Sequence, residues 1–203
     1  MIKLVACAMM AAATGFAQCT VEPAGAPPAE ASAMNQALAQ QGIKMTGPDG
    51  VTVEIWLRPS MPAGGKVQDN ATLPVPHGAL LGVIRTAGRY EDRRGQPIKA
   101  GVYTLRYSVY PVDGDHQGVA PQRDFLILGR IADDKDPNAT PDFDPLMDLS
   151  RKASGTPHPL CLSLWKGGSS DGKISKDGEI DWALNTKLGD TPVAIILFGK
   201  SQA

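Results

Sequence analysis

The run of residues 102–110 constrains the fold of this chain more than any other part of the sequence. Large apolar or aromatic side chains occupy every second position, at Tyr103, Leu105, Tyr107 and Val109. A period of two directs alternate side chains to opposite faces, so this run predicts a β-strand with one buried face. Shorter runs of β-strand character recur between Gly- and Pro-rich segments, at residues 43–46, 51–57, 79–84, 125–128, 160–165, 180–184 and 193–198. The sequence therefore predicts about eight strands.

Helices do not alternate with these strands, which argues against a βαβ architecture. We expect an antiparallel β-sandwich of jelly-roll-like type, formed as a single domain by residues 28–203. The 22 Gly and 17 Pro residues favour a loop-rich architecture of this kind. An N-terminal helix is expected from Pro28 to Gln41, and a second helix near Pro145 to Lys152 in the 130–159 connection.

The N-terminus has the three parts of an export signal. Lys3 gives a short basic start, an apolar run extends from Leu4 to Ala13, and Gly15 and Ala17 place small residues at the −3 and −1 positions. We therefore expect residues 1–17 to be a cleaved signal peptide, followed by a flexible leader at 18–27. The apolar run is shorter than the roughly 20 residues that a membrane-spanning helix needs. The expected location is secreted or periplasmic, without a stable membrane span.

Charge and cysteine content narrow the expected partners and the redox state. A net charge of −1 provides no basic field to hold nucleic acid. Removal of the signal peptide would leave two cysteines, Cys19 and Cys161. In an oxidising compartment, two cysteines favour one disulfide, which would tie the N-terminal leader to a late strand. The alternative is a pair of free thiols.

One segment resembles known exported proteins. Residues 98–105, IKAGVYTL, have a form that is common in secreted bacterial β-sandwiches. The longer segment from Leu80 to Gly155 resembles a family of uncharacterised exported bacterial proteins. This resemblance implies export and β structure. It implies no activity and assigns no role to any residue.

Polar ligand groups are concentrated in loops that an up-and-down order of strands would bring to one end of the fold. These loops are residues 59–78, 111–123 and 166–178. Carboxylates on such loops suit Ca²⁺, and imidazoles suit a transition metal. The alternative is that the Asp-Gly pairs simply form turns, and Asp171 to Glu179 lacks the ligand pattern of an EF-hand. The candidate metal ligands are His77, His116, Asp113 and Asp115.

Aromatic residues offer a different kind of site. Trp165 and Trp56 alternate out of phase with their apolar neighbours, so they are candidates for exposed rings that stack on a carbohydrate. Trp182 is in phase with Ile180 and Leu184, which predicts a core position. The alternative is that all three tryptophans are buried. Two Asn-x-Thr sequons, at Asn70 and Asn138, predict surface loops.

Two functions remain after these observations. The first is an exported, non-catalytic binding or structural module with a carbohydrate or protein ligand. The second is a metal-dependent exported enzyme, a hydrolase or an oxidoreductase, which uses the loop residues His77, His116, Asp113 and Asp115. The sequence contains no G-x-S-x-G elbow or zinc-spaced Cys/His set, so no particular reaction is predicted.

Overall fold

The computed structural model describes residues 19–64, 66–69, 71–110 and 124–200. These residues form twelve strands, one 3₁₀ helix at Ala29–Ala37 and one α-helix, α1, at Phe143–Ser154. The strands, in chain order, are β1 (Thr20–Pro23), β2 (Ile43–Thr46), β3 (Thr52–Leu57), β4 (Leu80–Ala87), β5 (Tyr90–Glu91), β6 (Pro97–Ile98), β7 (Gly101–Val109), β8 (Asp124–Arg130), β9 (Cys161–Lys166), β10 (Ile174–Asp177), β11 (Asp181–Leu188) and β12 (Thr191–Phe198).

Ten of these strands form one antiparallel sheet in the order β1-β2-β3-β4-β7-β8-β9-β12-β11-β10. The mostly β, antiparallel class with two helices is confirmed, but the predicted sandwich of about eight strands is wrong. This ten-stranded sheet curls until it is nearly closed, so its inner face encloses the core without the second large sheet of a sandwich. The strand count was too low because β1, β5, β6 and β10 have only two to four residues each, too few to display a clear period.

The core lies on the inner face of the curled sheet. Tyr103, Leu105, Tyr107 and Val109 of β7 all belong to the main buried cluster, as the alternation predicts. The opposite face of β7 is buried as well, at Thr104, Arg106 and Ser108, so the expectation of a single buried face is wrong. The small β5–β6 hairpin closes one end of the curl. There the hydroxyl of Tyr90 donates a hydrogen bond of 2.7 Å to the carbonyl oxygen of Leu197 in β12. We call this the hairpin end and the opposite one the loop end.

The two helices cover parts of the outer face. The 3₁₀ helix, which is shorter than the expected helix, packs Ala31 and Met34 against Trp56. Helix α1 packs Leu146 and Met147 against Phe125 and Ile127 of β8, and its position confirms the second predicted helix. Crossing a lipid bilayer would take a longer and more apolar helix than either helix among the described residues.

A buried ion pair fixes the connection between β8 and α1. Arg106 of β7 is completely buried and points to the outer face, where its Nε and Nη2 donate to the two carboxylate oxygens of Asp134 at 2.6 and 2.7 Å. Its remaining N–H groups donate to the carbonyl oxygens of Gly78, Asp136 and Ala139. Every donor of the guanidinium therefore has an acceptor, as a buried charge requires.

Candidate functional site

At the loop end, one of the loops predicted to converge, residues 59–78, is hydrogen-bonded to the strands that flank a second one, residues 111–123. The backbone N–H of Val109 donates to Gln68 Oε1 at 3.0 Å, and Thr72 donates to the buried Asp124 from both its N–H and its hydroxyl. Tyr107 also donates its hydroxyl to Asp124. The 58–79 connection is thus bonded to the end of β7 and to the start of β8, the strands that flank residues 111–123. The predicted ligands Asp113, Asp115 and His116 lie outside the described residues.

The ring of His77 is held in one tautomer. Its Nδ1 lies 3.1 Å from Gln68 Oε1, the same oxygen that accepts a hydrogen bond from Val109 N–H. Because a backbone N–H can only donate, this Gln68 atom is an oxygen, and His77 Nδ1 must carry the proton. The lone pair of the neutral ring is then on Nε2. This atom is buried and makes no hydrogen bond within the described part of the chain.

Burial lowers the pKa of His77, while the backbone and the carboxylate of Asp142 act in the opposite direction. The net direction is downward from the usual value near 6.5, so His77 is neutral at pH 7. A neutral imidazole with one nitrogen fixed by an acceptor is the state in which histidine binds a metal ion. His77 therefore has the electronic state that the predicted metal site requires.

A cavity of about 140 Å³ lies beside this histidine, between α1 and the outer face of β7, β8 and β9. We call it the α1 cavity. Phe143, which stacks on His77 with ring centroids 6.0 Å apart, forms one wall. The rest of the lining is mixed, with more apolar than polar surface. Its other residues are Arg93, Arg94, Ser108, Val109, Tyr110, Phe125, Ile127, Met147, His158, Pro159, Cys161 and Ser163.

The charged residues of the α1 cavity are already paired. Arg93 forms an ion pair with Asp181 at 2.8 Å, and Arg94 forms one with the buried Asp92 at 2.9 Å. Arg94 also donates to the carbonyl oxygen of Pro159, which joins the 92–96 turn to the start of β9. Loops 86–97 and 130–159 therefore meet at the α1 cavity. These arginines shape the cavity and leave no unpaired charge for a ligand to neutralise.

The thiol of Cys161 lines the α1 cavity. Burial raises its pKa to about 12, although Arg94 acts in the opposite direction, so the thiol is neutral at physiological pH.

Contrary to the predicted disulfide, Cys161 and Cys19 are both free thiols. Cys19 precedes β1, at one edge of the sheet, whereas β9 is seventh in the strand order. Proximity in the fold, which a disulfide needs, cannot be read from cysteine count.

No group of three His, Cys, Asp or Glu side chains among the described residues could hold a metal ion. The acidic loop near β10 illustrates why. Asp171 Oδ1 accepts a hydrogen bond of 3.2 Å from the N–H of Lys173, which is the turn geometry that Asp often adopts. This backbone contact lowers the pKa of Asp171. The predicted calcium or transition-metal site thus depends on residues 113, 115 and 116.

Two of the three tryptophans, Trp56 and Trp182, have exposures that differ from the sequence prediction. Trp56 is 1% exposed beneath the 3₁₀ helix and donates its indole N–H to the carbonyl oxygen of Gly25, so it offers no ring to a ligand. Trp165 is partly exposed, as expected of a ligand-stacking ring. Trp182 is also partly exposed, and it lies where a β-bulge shifts the register of β11 against β12.

Sequence reasoning did not identify the α1 cavity. Its walls come from β7, β8, β9, α1 and two loops, so no short motif contains them. The available signal was the pair of aromatics Tyr110 and Phe125, which flank the 111–123 loop and pack with ring centroids 5.6 Å apart. No family model, curated protein or solved structure matches the chain.

Proposed function

We propose that this protein is an exported, non-catalytic binding module that holds a small, mostly apolar ligand in the α1 cavity. The signal-like residues 1–17 and the resemblance to exported bacterial proteins support export. The observation that carries the binding role is the cavity itself, about 140 Å³ in volume and walled by Phe125, Ile127 and Phe143. An apolar cavity of about 150 Å³ in another protein accommodates benzene.

The chemistry of the lining supports binding more than catalysis. The strongest nucleophile in it, Cys161, is protonated, and the two arginines are engaged with carboxylates. Ser108 and Ser163 add hydroxyl groups that a polar substituent of the ligand can contact. A few polar groups in an apolar wall are typical of sites that orient a small molecule. The ligand class that fits is therefore a single aromatic ring or a compound of similar size.

The test uses benzene and phenol as probes of the full chain. Both should raise the melting temperature of the wild-type protein, because a ligand that binds only the folded state stabilises it. Ser163→Leu should abolish this effect by placing a larger side chain in the cavity. Ser170→Leu, on an exposed loop, is the matched control and should behave as the wild type. An unresponsive wild type, or an unchanged response in Ser163→Leu, would contradict the proposal.

A metal-dependent enzyme is the second candidate, and the state of His77 favours it. Its Nδ1 is fixed by Gln68 and its Nε2 lone pair is unpartnered within the described residues. In this alternative His77, His116, Asp113 and Asp115 bind Ca²⁺ or a transition metal. Titration with Zn²⁺ and Ca²⁺ should then give one site that His77→Gln and His116→Gln both lose. Retention of the site in either variant would rule out a shared metal.

A further inference from the structure

Arg58, immediately after β3, forms no ion pair with Asp or Glu among the described residues. Its Nη1 donates to the carbonyl oxygen of Pro137 at 3.1 Å, and its backbone N–H donates to Leu81. Its Nε is buried and unpartnered, and neither Nε nor Nη2 makes a hydrogen bond within the described ranges. Six other arginines form ion pairs with Asp or Glu there, and the remaining one, Arg130, is exposed.

The guanidinium lines a second cavity of about 180 Å³ on the outside of the sheet. The cavity lies between the 62–64 loop and the 137–140 segment, which carries the exposed side chains of Asn138 and Thr140. Both of these side chains can donate a hydrogen bond. No acidic side chain is among the described residues of the lining. The cavity therefore combines one cation with neutral donors.

In the part of the chain that the structure describes, no carboxylate neutralises the charge of Arg58. Burial lowers its pKa, and the neighbouring charge of Arg106 acts in the same direction. The charge of Arg106 is compensated by Asp134, whose two carboxylate oxygens both accept hydrogen bonds from its guanidinium. A guanidinium stays protonated under all such conditions, so Arg58 remains a half-buried cation. A partly desolvated, unpaired charge is costly, and an anion that enters the cavity would relieve that cost.

We propose that the Arg58 cavity binds a small oxyanion, namely a carboxylate or a phosphate group. With Nη1 anchored on Pro137, the free edge of the guanidinium consists of Nε–H and Nη2–H. These two parallel donors match the two oxygens of a carboxylate or phosphate, which arginine binds in bidentate fashion. Nε is buried in this structure, so bidentate binding requires a small movement of the cavity wall to expose it. This site is separate from the α1 cavity and does not depend on the proposed function.

Sodium phosphate and sodium acetate, at constant ionic strength balanced with NaCl, are the probes. In the full chain, phosphate or acetate should raise the melting temperature in a saturable manner. Loss of the charge in Arg58→Met should weaken binding by at least about tenfold, as expected when a charge-assisted hydrogen bond is removed. Arg58→Lys keeps the positive charge but lacks the two parallel N–H donors of the guanidinium, so it should bind with intermediate affinity. A response to acetate alone assigns a carboxylate, and one to phosphate alone assigns a phosphate group.

Arg130→Met is the matched control, because it removes an exposed arginine and leaves the cavity intact. Its anion response should equal that of the wild type. The ¹⁵Nε resonance of Arg58, assigned by its loss in Arg58→Lys, should shift on phosphate or acetate titration, which tests the site even where Arg58→Met folds poorly. The proposal is overturned if neither anion affects the wild type, or if Arg58→Met or Arg58→Lys responds as strongly as the wild type.

Discussion

At the scale of single residues, the interior holds a buried ion pair between Arg106 and Asp134. Loss of either partner would leave the other charge buried and uncompensated. Arg106 is completely buried, and Asp134 is the only carboxylate among the described residues within ion-pair distance of it. A buried pair of this kind contributes little relative to an apolar pair of the same shape. Removal of one partner, however, leaves a charge without compensation. The stability of the fold is therefore sensitive to substitution of either Arg106 or Asp134.

Asp134→Ala should lower the free energy of unfolding by about 3–5 kcal/mol, because Arg106 would stay buried without its carboxylate. Urea denaturation of both proteins measures this difference. The neighbouring Asp133 pairs with Lys152, whose side chain is 67% exposed, so Asp133→Ala should cost at most about 1 kcal/mol. Equal losses in the two variants would show that burial of Arg106 is not the cause.

His77 should make stability depend on pH in a predictable direction. Its pKa is lowered in the folded state, so the unfolded chain takes up the proton first as the pH falls below about 6.5. The free energy of unfolding then decreases until the folded-state pKa is passed, and this contribution is constant above about pH 6.5. His77→Gln should remove that decrease in urea titrations between pH 7 and 5. His158→Gln, at an exposed position, should retain it.

At the scale of elements, coverage of the outer face decides which side chains are buried. The period of two assigns each residue of a strand to a face, but it does not say what covers that face. Trp56 is on the outer face and still buried because residues 29–37 lie over it. Trp182 is partly exposed and lies at a bulge in the β11–β12 pairing that the sequence pattern does not reveal. Both predictions failed for reasons that lie outside the strand itself.

Met34 can test how much the packing of the 3₁₀ helix over Trp56 contributes to stability. Its side chain is completely buried against the cluster that contains Trp56, Leu80 and Val83. Met34→Ala should therefore cost about 2–5 kcal/mol, from lost apolar burial and the cavity left behind. Gln36→Ala, two residues further on and exposed, should change stability by less than about 0.5 kcal/mol. Chemical denaturation compares them, and a similar small effect of both would mean that the helix is not packed on Trp56.

At the scale of the whole molecule, the sequence predicts local strands better than their assembly. The central parts of eight strands follow from local sequence patterns, because each depends on residues close together in the chain. Closure of the sheet depends on contacts between distant segments. The β2–β3 turn at Gly47 meets Phe198 of the last strand, and Tyr90 bonds to Leu197. The Arg58 and α1 cavities are likewise assembled from separate loops, so neither appears as a motif.

Closure at the hairpin end can be tested through Tyr90. Its hydroxyl is buried and links β5 to β12 across 107 positions of the chain. Burial raises the pKa of this hydroxyl far above its usual range, so it remains a donor at any pH the fold tolerates. Tyr90→Phe should lower the free energy of unfolding by about 1 kcal/mol or more and should speed hydrogen exchange at the end of β12.

Tyr103→Phe is the matched comparison for this test. Its hydroxyl also donates to a backbone carbonyl, that of Lys99, but the bond is local and only partly buried. Water can replace such a bond, so Tyr103→Phe should cost less than Tyr90→Phe and leave exchange in β12 unchanged. If the two variants lose equal stability and β12 exchanges at the wild-type rate in both, the Tyr90 bond does not hold the sheet closed. Closure would then rest on the apolar contacts of Phe198 and its neighbours alone.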